Sequence, residues 1–198
     1  MNVNDFTRLG RVTSLMGAAL VIFGLGSARA DIIVKDPTVT PNGSNFTWTY
    51  DVTLTNDETV QTNNFFTIYD FNGFVPGTNF QPADWVFSSA NVGKTPSKVK
   101  PQDNPKIPNL TWTYTGTATI GPGPTDLGLF GADSTIGTEH VGTFATEAIK
   151  YAPGKPGNGK PVDNVGSVGV PYVPESSSLL LLLPGLAPLG ILLRKRRG

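Results

Sequence analysis

His140 is the one histidine of the chain, set beside Glu139 ahead of an apolar run. A single imidazole with no cysteine anywhere in the chain cannot build the usual multi-histidine or thiolate metal site. No Ser-His-Asp order can be singled out around it. Asp126 and Asp133 flank Leu127-Gly-Leu-Phe-Gly131, and Asp70 closes an aromatic run. Loop carboxylates of this kind are the ligands a hard cation such as Ca²⁺ takes, but their spacing fits no calcium loop. Gly154-Lys-Pro-Gly-Asn-Gly159-Lys160 has the spacing of a phosphate-binding loop. Pro161 stands where the Mg²⁺-binding hydroxyl belongs, and Pro156 removes an amide donor. Gly166-Ser-Val-Gly169 lacks the first glycine of a nucleophile elbow, Val165 occupying that position. Solvated loop is the better account of all these groups, and a non-catalytic protein without cofactor or metal is expected.

The aromatics carry a more serious alternative. Trp48, Tyr50, Tyr69, Trp85, Trp112 and Tyr114 offer flat rings of the kind on which sugars stack. Trp48 and Trp112 stand in alternating strands, where burial is the default, so both are expected in the core. Trp85, preceded by Pro82-Ala-Asp84, has the least regular setting and is the candidate ligand-binding residue.

The elements that must position these residues read as β throughout. Phe46, Trp48, Tyr50, Val52 and Leu54 alternate with Thr47, Thr49, Asp51, Thr53 and Thr55, a period of two that puts large side chains on one face. Leu110, Trp112, Tyr114, Ala118 and Ile120 repeat the pattern, with Gly116 as a gap. The echo between Phe46–Tyr50 and Leu110–Tyr114 needs no duplication, since similar strand composition explains it. Further strands are expected at 31–34, 65–71, 85–88, 127–130 and 141–151. Turn-formers at Pro41-Asn-Gly43, Asn56-Asp57, Pro76-Gly77 and Gly121–Pro124 separate them. Pro96, Pro101, Pro105 and Pro108 deny regular structure to the stretch Lys94 to Lys106. No segment has a convincing helical period. The expectation is an all-β domain over 31–151, an antiparallel β-sandwich of Ig-like or jelly-roll-like type. Residues 152–172, rich in Gly, Pro and Lys, read as a flexible linker.

Both ends of the chain read as sorting segments. Arg8 and Arg11 precede an apolar run from Leu15 to Leu25, and Ala28-Arg29-Ala30 supplies a small-x-small cleavage pattern before Asp31. A signal peptide over 1–30 is expected, with cleavage after Ala30. At the other end, Val173-Pro174-Glu175 is followed by three serines, an apolar stretch to Leu193, and Arg194-Lys195-Arg196-Arg197. Four basic residues act as a stop-transfer signal that keeps the terminus cytoplasmic. A transmembrane segment over 177–193 reaches about 26 Å as a helix, close to but short of the hydrocarbon core of about 30 Å.

That tail, residues 173–198, resembles the PEP-CTERM sorting signal of Gram-negative bacteria, in which a Val-Pro-Glu-Pro-like motif precedes an apolar span and a basic end; Val173, Pro174 and Glu175 match the motif, and Ser176 stands where the second proline is usual. The resemblance implies processing by an exosortase-type membrane protease, transient residence in the inner membrane, and delivery to the outer envelope or extracellular matrix. It also implies extracellular polysaccharide as an associated partner. The rival readings are a carbohydrate-binding module, which the aromatics would serve, and, less favoured, a secreted hydrolase.

All six arginines lie outside residues 31–175, which keep eight lysines against ten aspartates and four glutamates, a formal charge of −6. A mildly acidic, arginine-free body argues against nucleic acid as a partner.

Overall fold

Large residues alternating with threonines make the strand at the heart of the first sheet. The computed structural model describes residues 31–173, so the expectations placed on Ala28, Ala30, Pro174, Glu175, Arg194, Lys195, Arg196, Arg197 and the span 177–193 lie outside the described residues. Strand β3 (Asn45–Leu54) runs antiparallel to β1 (Ile32–Val34) and β2 (Thr38–Asn42) along one edge, and to β8 (Thr125–Ser134) along the other. A two-residue turn links β2 to β3, with Gly43 at φ 61°, a conformation that glycine adopts without penalty.

The second sheet has the order β10–β9–β5–β7–β6, all antiparallel. Its strands are β5 (Phe65–Ile68), β6 (Trp85–Ala90), β7 (Asn109–Tyr114), β9 (Glu139–Lys150) and β10 (Pro161–Pro171). The two-residue β4 (Glu58–Thr59) pairs with the end of β9. Among the described residues every element is a strand, and the protein is all-β with antiparallel sheets.

One core joins the sheets. Trp48, Tyr50, Val52 and Leu54 of β3 are buried, as are Leu110, Trp112 and Tyr114 of β7, so the period-two expectation holds for both. Phe66 stacks on Trp112 at 5.1 Å between centroids and meets Phe130 edge-on at 5.0 Å. Such pairs add about 0.5–1.5 kcal/mol beyond area burial. The first sheet therefore feeds Phe130 into an aromatic cluster built mostly by the second.

β5 is buried on both faces. The loop bearing Lys94 covers its outer side: the Lys94 ammonium lies 3.9 Å from the centroid of the Phe65 ring, and Thr67 Oγ1 donates to the Lys94 carbonyl at 2.7 Å. The proline-rich stretch 94–106 is irregular, as its composition predicts, but it packs over the sheet, with Pro96 buried.

Two expectations need correction. The presumed linker 152–172 contains β10, which pairs with β9 in unbroken register from Pro161↔Ile149 to Pro171↔Glu139. The β domain thus runs to Pro171, not to residue 151. Its glycines serve packing: a Cβ on Gly166 would lie 2.5 Å from the Phe144 ring. Prolines at both ends of an edge strand leave the ladder intact. The strand expected over 110–120 stops at Tyr114, whose hydroxyl donates to the Ala118 carbonyl at 2.8 Å. Ile120 then bridges to Val60.

Candidate functional site

The β9–β10 hairpin brings together groups that lie far apart in sequence. Val170 of β10 is paired with His140 of β9, and the Tyr172 amide donates to the Thr138 carbonyl at 2.9 Å. This brings the His140 and Tyr172 rings into a tilted contact, with centroids 4.7 Å apart and planes 33° apart. Tyr172 is 37 % exposed, so its ring keeps a free surface.

The opposite wall comes from the β5 corner and the loop before β7. Asp70 sits at φ 58°, a left-handed position that Asp tolerates better than most residues. Its amide donates to Asn109 Oδ1 at 2.8 Å, and its Oδ1 accepts the Asn104 amide at 2.8 Å. Asn109 Nδ2 in turn donates to Asp103 Oδ1 at 2.9 Å. These bonds fasten Gln102 and Asn104 beside Asn72, across from the two rings. The cleft so formed holds about 230 Å³. Burial raises the Asp70 pKa, the Asn104 amide opposes it, and the Asp103 charge adds to it. Side-chain amides beside a half-open tyrosine ring can hydrogen-bond and stack a polyhydroxylated molecule. Among the described residues, Asp70 is the one acidic side chain lining the cleft.

The sequence candidates are scattered. Trp85 is 5 % exposed and packs against Phe130 at 5.1 Å, Tyr114 at 5.4 Å and Phe66 at 5.8 Å. It is therefore a core residue and not a sugar platform. Although β6 is an edge strand, its alternate side chains still point inward, and Val86 takes the outer face. Asp133 accepts from Thr47 Oγ1 at 2.6 Å and from Asn42 Nδ2 at 3.0 Å, tying β8 to the β2–β3 hairpin. Asp126 accepts the Gly128 amide at 2.8 Å, where the β3–β8 register shifts. No group of three or more potential metal ligands is found among the described residues.

Gly154–Lys160 is the tip of the β9–β10 hairpin. Its amides close local turns, Lys155 onto Ala152, Lys160 onto Gly157 and Gly159 onto Lys150, and a strand follows instead of the helix a phosphate loop requires. Gly166–Gly169 lies in the middle of β10 and is no elbow. Glu139 and His140 are the first two residues of β9. Val173 is 51 % exposed just after the last strand.

Sequence reasoning missed two groups. Composition places Tyr172 in the linker, and only the alternation Val162, Asn164, Val168, Val170 ahead of it signals a strand that would hold it. Asp31 and Glu58 are both buried carboxyl groups, and neither position carries any sequence signal of burial. Comparison with protein-family models, characterised proteins and solved structures returns no match.

Proposed function

We propose that the chain is an exported, non-catalytic surface or matrix protein of a Gram-negative bacterium, delivered through a PEP-CTERM-like tail. In this reading its two sheets form an Ig-like or jelly-roll-like sandwich that faces the cell exterior. An exosortase-type membrane protease is the processing partner, and extracellular polysaccharide the associated material. The observation that carries the reading is the order Val173-Pro174-Glu175, apolar span, Arg194–Arg197 at one end, with Ala28-Arg29-Ala30 at the other. The motif begins two residues after β10 ends, so it follows a folded domain directly.

A motif mutant tests the tail. Pro174→Ala with Glu175→Ala should leave the protein uncleaved in the inner membrane of its native host. Identical fractionation of mutant and wild type would reduce the tail to a membrane anchor.

The cleft at His140 and Tyr172 favours carbohydrate binding as the second reading. Retention by polysaccharide in affinity electrophoresis, lost in Tyr172→Ala and kept in a surface control such as Val86→Ala, supports it. Equal mobility of wild type and Tyr172→Ala removes it.

A further inference from the structure

Asp31 follows the expected cleavage point, and its side chain is enclosed. The residue is 0 % exposed; its Oδ1 accepts from the Ile32 amide at 2.7 Å and from Thr146 Oγ1. Its Oδ2 is buried without a partner among the described residues. Glu58 of β4, 1 % exposed, likewise leaves Oε2 unpartnered. The charged groups facing this pair are Asp163 of β10, Lys150 of β9 and Asp57 in the turn before β4. Lys150 acts on Glu58 and is not among the charges acting on Asp31. Burial first, opposed by the Thr146 hydroxyl and reinforced by Glu58, pushes the Asp31 pKa up to about 8. Protonated or ionised, Oδ2 has no partner among the described residues, and such an atom weakens a fold.

The missing donor can come from the residue itself. Joined to Ala30, the Asp31 nitrogen is an amide whose single hydrogen goes to Thr55 Oγ1. Hydrolysis of that bond places a hydroxyl on the Ala30 carbonyl carbon and a hydrogen on the Asp31 nitrogen. At neutral pH the amine takes a further proton and becomes an ammonium with three donors. Only two carbons separate it from its own carboxyl group. We propose that removal of the signal peptide at Ala30–Asp31 creates the counter-charge of the buried Asp31–Glu58 pair, so that processing itself stabilises the fold. This rests on the cleavage reading above. The precursor, with its acid unpaired, is the less stable form, which favours an unfolded chain while the leader is attached.

Two recombinant chains, residues 31–198 and 30–198, purified in the same detergent, test it. The chain beginning at Asp31 should melt about 4 °C higher near pH 6.5. The gap should close above about pH 9, where the α-amine loses its proton. Acetylating the Asp31 amine should erase the gap without touching the side chain, and so should Asp31→Asn in both chains. Equal melting, or a gap that persists at pH 10 and after acetylation, would overturn the proposal while leaving the cleavage site standing. An exported protein that starts elsewhere would sink the cleavage reading without altering the melting comparison.

Discussion

Trp48 and Trp112 are both sealed from solvent, yet only one indole nitrogen has an acceptor. Trp48 Nε1 donates to the Ile136 carbonyl at 3.0 Å, whereas Trp112 Nε1 has no partner among the described residues. Trp48→Phe leaves a carbonyl unpaired, while Trp112→Phe removes an orphaned donor. We expect Trp48→Phe to be the more damaging by about 1 kcal/mol in urea unfolding. Titration gives a second prediction at this scale, for a chain in which Asp31 is still bonded to Ala30. The folded pKa of Asp31, about 8, lies above its ordinary 3.8, so the unfolded chain releases its proton first and stability falls from about pH 4 to about pH 8. Glu58, pushed up to about 7 first by burial, acts in the same direction. Melting temperature should therefore drop across that range in the 30–198 chain, and Asp31→Asn should make the fall shallower, leaving the part that Glu58 contributes. A flat profile in the unmutated chain would contradict the buried-acid assignment.

β10 is the element on which sequence and structure part. Strands β3 and β7 were legible because bulky residues on one face alternate with threonines on the other, a contrast that survives in the bare sequence. β10 hides the same alternation behind glycines, since Gly166 makes room for the Phe144 ring and Gly169 packs near Glu139 and Pro37. Composition then reads as linker what pairing makes a strand. The site was less legible still, because Tyr172 meets His140 only through the β9–β10 register, and Asp70 meets Asn104 only through a loop fold. Trp85 misled for the converse reason: an irregular lead-in says nothing about which way the first strand residue points. If β10 is structural, Gly166→Val should destabilise by about 1–3 kcal/mol through collision with Phe144. A Gly-Ser insertion at Gly157, in the hairpin tip, should change stability by less than about 1 kcal/mol. Equal effects would return the segment to linker.

At the scale of the whole molecule, the domain ends at Pro171 and the apolar run begins at Leu179. Eight residues of fully extended chain reach roughly 28 Å at most. On the proposed function, the attached tail would therefore hold the domain close to the bilayer, with the Val173 motif between them. Release from that position is what the proposed function requires, and a body of net charge −6 without arginine has little attraction for an anionic membrane surface once freed. The direct measurement is the intact mass of the protein recovered from outside the inner membrane of its native host. The account predicts a chain that starts at Asp31 and lacks Leu179–Gly198. A mass that includes Arg194–Arg197, or a chain that still carries Leu15–Leu25, would contradict it.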